Sequence, residues 1–95
     1  MKQYKIRPGV VLLEVCGEHL LVATRDARET CPYLNQISEE AVVLWRLLDQ
    51  EGRAPALIRS FGEQLGLEPK VCFLRVTGML SKLVKAGYVL AEDNP

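Results

Sequence analysis

The chain has 95 residues, 48% apolar and 25% charged, with twelve basic side chains set against twelve acidic ones. That is enough for one globular domain spanning residues 1–95, with a modest core and no need of staples. No run of about 18 apolar residues is present to span a membrane, and "MKQYKIRPGV" lacks the apolar core of a secretory signal. A cytoplasmic protein is therefore expected, with no membrane partner.

The first third reads as strands. "VVLLEV" (10–15) and "HLLVAT" (19–24) flank Gly17, as in a tight hairpin. Both runs are almost continuously apolar, which predicts helices covering much of a small sheet. "TRDARE" supplies a polar turn, and a third strand is predicted from about Arg28 to Leu34. Asn35 is placed to cap a first helix, with Glu39 and Glu40 near the positive end of its dipole. Ile37, Ala41, Leu44, Trp45 and Leu48 form one stripe at helical spacing, and Trp45 is expected in the core. Pro55 suits the first turn of a second helix, with Leu57, Phe61 and Leu65 on one face before Gly66. Pro69 opens a third helix, closed by Gly87, whose core stripe is Cys72, Val76, Met79, Leu80 and Leu83, with Phe73 packed at its flank. A short apolar tail "YVL" (88–90) follows, and the ending "AEDNP" is expected to fray. The fold class is thus α+β and winged-helix-like: a three-stranded antiparallel sheet followed by three helices.

No catalytic constellation emerges, and no cofactor is expected. Cys16, Cys31 and Cys72 are widely spaced with only His19 to help, so three reduced thiols acting as small hydrophobes are favoured over a metal site or a nucleophile. His19, within the second strand, reads as packed or surface-exposed. Charge is balanced but uneven: residues 36–52 hold Glu39, Glu40, Asp49 and Glu51 against Arg46, whereas residues 68–87 hold Lys70, Arg75, Lys82 and Lys85 against Glu68. The third helix either attracts an acidic partner or is a solvated lysine-bearing face. The chain is read as a binding module, not an enzyme.

Several motifs in order carry a resemblance. Leu34-Asn35 stands at the strand-to-helix junction, Leu44, Trp45 and Leu48 make an aliphatic-Trp-x-x-Leu helix, and Leu65, Gly66, Leu67, Glu68 and Pro69 make the next turn. Leu80, Leu83, Val84, Gly87 and Tyr88 end the last helix. In this order, from about residue 5 to 90, the chain resembles the PqqD-like family of peptide-binding chaperones, also called RiPP recognition elements. The resemblance implies three antiparallel strands packed on three helices. It also implies capture of the leader segment of a ribosomally made precursor peptide, for delivery to a modifying enzyme, often a radical SAM enzyme. In that family the leader adds as an extra strand beside the third strand, in a cleft closed by the third helix, which is β-augmentation.

Transferred to this chain, that mode puts the peptide between strand 28–34 and helix 69–86. The candidate peptide-binding residues are Arg28, Glu29, Thr30, Cys31, Pro32 and Tyr33 on the strand, and Val71, Leu74, Arg75, Gly78 and Lys82 on the helix. Pro32 either blunts an edge strand or merely ends the strand before Asn35. Val71 and Leu74 point off the core stripe, as scattered surface apolars or as part of a groove. Gly78 either lets a ligand backbone come close or is tolerated at a cost of about 1 kcal/mol. The alternative function is a winged-helix DNA-binding regulator, against which the pI near 6.6 counts; a docking subunit of a larger complex is a third. No nucleic-acid partner is expected.

Overall fold

The structure, a computed structural model, describes residues 2–93. In chain order it has strands β1 (Lys2–Ile6), β2 (Val10–Val15) and β3 (Glu18–Ala23), a 3-10 helix (Arg25–Glu29), and strand β4 (Leu34–Ile37). Helices α1 (Glu39–Leu48), α2 (Ala54–Leu65) and α3 (Pro69–Ala86) follow, then strand β5 (Val89–Asp93). Strands β2, β3 and β4 form the expected three-stranded antiparallel sheet in that order. The β2–β3 hairpin turns on Cys16 (φ 52°) and Gly17 (φ 79°). Two successive positive φ values suit a two-residue turn matched to the twist of the strands.

Helix boundaries follow local chemistry. Ser38, not Asn35, caps α1: its hydroxyl accepts the Ala41 amide at 3.2 Å, leaving Glu39 and Glu40 in the first turn. Pro55 and Pro69 stand in the first turns of α2 and α3, where a missing N–H leaves no helix bond unmade. Gly87 ends α3 at φ 93°. A Cβ there would meet the Thr30 carbonyl at 2.9 Å, so the close approach of the 30–31 loop to the end of α3 also requires glycine.

The core gathers Leu44, Trp45 and Leu48 from α1, Leu57 and Phe61 from α2, and Cys72, Val76, Leu80 and Leu83 from α3. Val10, Leu21 and Ala23 join from the inner face of the sheet. Trp45 is buried as predicted. Leu65, the last residue of α2, is exposed instead, and so is Phe73, by 53%, because α3 turns its 72–76–80–83 row inward and leaves position 73 outside that row.

Three further expectations are corrected. Residues 28–33 are not a strand: the chain coils through the 3-10 helix and a bend, and the third strand starts only at Leu34. Ala27 and Cys31 explain this, since both are buried and the Cys31 amide and thiol both donate to the Ala27 carbonyl at 3.0 Å. Helices cover just one face of the sheet. On the other, Val11, Val22 and Leu34 stand in one cross-strand row and Leu13, Leu20 and Gln36 in the next, with Leu13 46% exposed. Finally, Ala91 to Asp93 do not fray but pair with β1, Lys2 opposite Asp93 and Ile6 opposite Val89; Asn94 and Pro95 lie outside the described residues. That second sheet ties the two ends of the described chain together.

Candidate peptide-binding groove

The three-stranded sheet places β4 at one edge. Among the described residues no strand pairs with its outer side. The Ala23 amide donates to the Tyr33 carbonyl at 2.9 Å, and the register continues Val22–Leu34, Leu21–Asn35, Leu20–Gln36 and His19–Ile37. Backbone groups alternate in direction along an antiparallel ladder. Tyr33, Asn35 and Ile37 therefore turn theirs toward β3, while Leu34 and Gln36 turn both N–H and C=O toward the open edge. Pro32 stands where this edge ends. It has no N–H to offer, and its carbonyl already accepts the hydroxyl of the buried Tyr88 at 2.9 Å.

Beside that edge runs a groove floored by α3. One stretch, a cleft of about 270 Å³, lies between Asn35, Gln36 and Ile37 of β4 and Met79, Lys82, Leu83 and Ala86 of α3, with Ala41 beneath. It adjoins a more open cleft of about 390 Å³ where Leu74, Arg75 and Gly78 face Ser38 and Glu40. Ser38, Met79 and Lys82 belong to both, so the two clefts form one channel along β4 and the start of α1. Leu74 is 63% exposed, and a Cβ added at Gly78 would find open space.

Electrostatically the groove is nearly spoken for. Arg75 pairs with Glu40 at 2.5 Å, joining α3 to α1 across the open cleft. Lys82 makes no ion pair among the described residues. Lys85 lines a separate cleft with Tyr4 and Ala91.

The candidate residues predicted from sequence thus divide. Leu74, Arg75, Gly78 and Lys82 come together in the groove, whereas the half-buried Val71 lines neither cleft. The predicted strand residues sit beyond its end. Arg28 lies over the Tyr33 ring at 4.5 Å and donates to the Ala23 carbonyl, Glu29 and Thr30 are exposed, and Cys31 is buried. Leu34, Asn35, Gln36 and Ile37 occupy the position assigned to 28–33. The signal for them was Leu34-Asn35 itself, once Ser38 rather than Asn35 is taken as the cap.

Other features lie elsewhere. Cys16 is exposed at the hairpin turn, contrary to expectation, and Cys31 and Cys72 are buried. His19 is half-buried, with Nε2 3.3 Å from Glu14 Oε1 across the hairpin. A further cleft, about 400 Å³, separates α2 from α3 near Ile58, Leu67 and Cys72; it borders no strand edge. Among the described residues there is no cluster of three or more His, Cys, Asp or Glu fit to hold a metal, and no helix is long and apolar enough to cross a membrane.

No protein-family model matches the chain, and no curated protein matches it in sequence. Among solved structures, that of TbiB1 in complex with the TbiA(beta) leader peptide matches with a TM-score of 0.71, covering 90% of this chain and 93% of that one, at 14% sequence identity. At that identity the likeness is one of fold, and the fold is the arrangement of strands and helices that the resemblance to the PqqD-like family implied.

Proposed function

We propose that this protein captures the leader segment of a ribosomally made precursor peptide and presents it to a modifying enzyme, without catalysing a reaction itself. The leader lies along β4 as a fourth strand, takes backbone hydrogen bonds from Leu34 and Gln36, and sets alternate side chains into the groove against α3. The observation that carries this reading is an open strand edge bordered by an apolar groove, in a fold shared with a protein solved with a leader peptide bound. An extended peptide suits such an edge because main-chain bonds supply affinity whatever the sequence, and the groove adds selectivity. The resemblance supplies the enzyme partner, of the radical SAM class or another maturation chemistry. A regulator of duplex DNA draws no comparable support: the formal charge is zero, and the arginine on the outer side of α3 is tied to Glu40.

The test is calorimetric titration with the N-terminal segments of short peptides encoded beside the gene. Saturable one-to-one binding of one such segment, and none of its scrambled control, is expected. Binding to duplex DNA that weakens steeply with salt, with no response to any leader, would sink the reading.

A further inference from the structure

The channel has an apolar floor in its stretch against β4 and three charged side chains along its whole length. Ile37, Ala41, Met79, Leu83 and Ala86 supply an aliphatic floor. Of the three charged side chains in the channel, two neutralise each other, Arg75 on Glu40. The third, Lys82, is exposed, makes no ion pair among the described residues, and stands at the junction of the two clefts. Burying the flank of an ammonium against a bound strand without a counter-charge costs free energy, and a carboxylate brought alongside removes that cost.

The ladder fixes the spacing at which such a carboxylate arrives. Leu34 and Gln36 are the β4 residues whose backbone faces the open edge. Whichever direction an added strand runs, its side chains alternate between the outer face of the sheet and the groove. The residue paired with Gln36 points outward with the Gln36 side chain; the two residues flanking it point inward, toward α3. Both face the cleft that the aliphatic floor and Lys82 line together, and the two are separated by a single residue.

We infer that the groove selects an extended peptide bearing one apolar and one acidic residue separated by a single residue, with Lys82 as the determinant of the acidic position. This rests on the strand-addition reading above and specifies what that site prefers.

The test is selection from a displayed library of random twelve-residue peptides on the full chain and, in parallel, on Lys82→Glu. Amide shifts are then measured with the enriched peptides. Lys82 is exposed, so the variant keeps its fold, which a thermal melt verifies. The expected result is an apolar–x–acidic or acidic–x–apolar pattern on the parent protein. On the variant, the apolar position persists and the acidic one changes to Lys or Arg. A parent-selected peptide should bind Lys82→Glu about tenfold more weakly, and its acid-to-lysine counterpart should recover the loss. Peptides that shift the amides of Leu34 and Gln36 yet carry no charge preference on either protein would overturn the inference and leave strand addition standing. Enriched peptides that leave residues 34–38 unmoved would overturn both.

Discussion

On one side of α3, Cys72, Val76, Leu80 and Leu83 are buried in the core; on the other, Leu74 is 63% exposed beside Gly78 and Lys82 in the open groove. Both faces carry aliphatic side chains on one helix, yet only one has partners in the fold. The difference lies in what each face meets. The inner row meets α1, α2 and the covered side of the sheet, whereas the outer face meets a gap beside a strand edge whose backbone groups point into the open. Exposed apolar side chains are common singly. Placed along a channel next to an unsatisfied strand edge, they acquire a geometry that suits an extended chain. If the groove binds the proposed leader, one helix separates stability from recognition, and substitutions on its two faces should produce two distinguishable kinds of damage.

The largest effects belong to the inner face and its neighbours. Trp45→Ala should destabilise the fold by about 3–5 kcal/mol and Leu80→Ala by about 2–5 kcal/mol, because each leaves a cavity among buried neighbours. Denaturant melts measure this, and such losses threaten a domain of ordinary marginal stability. Leu74→Ala should do the opposite: its stability stays within about 0.5 kcal/mol of the parent, while leader affinity drops by about 1–3 kcal/mol if the side chain is fully covered on binding. A Leu74 variant that melts early but binds normally would reverse the assignment of the two faces.

Gly78 sharpens the comparison, because one substitution should move the two properties in opposite directions. Gly78→Ala replaces a mid-helix glycine where a Cβ meets nothing, so the fold should gain up to about 1 kcal/mol. The same Cβ narrows the channel, and titration should show weaker leader binding. The smallest effect concerns Tyr88, on the buried side. Burial first, and Cys31 beside it second, push its phenol above the ordinary value. The folded state then holds the proton more tightly than the unfolded chain. Its contribution to stability is complete below about pH 10, the usual tyrosine value, and declines as pH rises through the raised native value. Tyr88→Phe should flatten that alkaline decline in melts across pH, while losing about 1 kcal/mol at neutral pH with the hydrogen bond to Pro32.

The parts of this design that are local were legible in the sequence. The α3 stripe, its Pro69 start and Gly87 stop, the Gly17 hairpin and the buried Trp45 all follow from spacing and turn chemistry within one element. Of the residues now lining the groove, Leu74 stood out because it falls off that stripe, Arg75 and Lys82 because they are basic side chains of the helix, and Gly78 because it is a glycine in the helix interior. What escaped depends on contacts distant along the chain. Strand β1 pairs with β5 across nearly the whole sequence, and neither segment announces its partner. Residues 28–33 misled because they lie between a polar turn and the Leu34-Asn35 junction, where a third strand was expected. The i, i+4 pair Ala27–Cys31 instead closes a turn into the core, and the strand is delayed to Leu34. Its cap is Ser38, three residues after the Asn35 that local preference favoured equally well. The pairing of Arg75 with Glu40 likewise needed α1 and α3 side by side, and it moves the available positive charge of the groove to Lys82.

In the proposed binding mode β4 is the edge that receives a peptide strand. Backbone amide shifts during titration with a binding leader segment test it most directly. The largest changes are expected at Leu34, Gln36 and Ser38, with accompanying changes along Leu74 to Lys82 of α3, and little movement elsewhere. Shifts concentrated instead on Ile58, Leu67 and Cys72 in the α2–α3 cleft, with β4 unmoved, would contradict it.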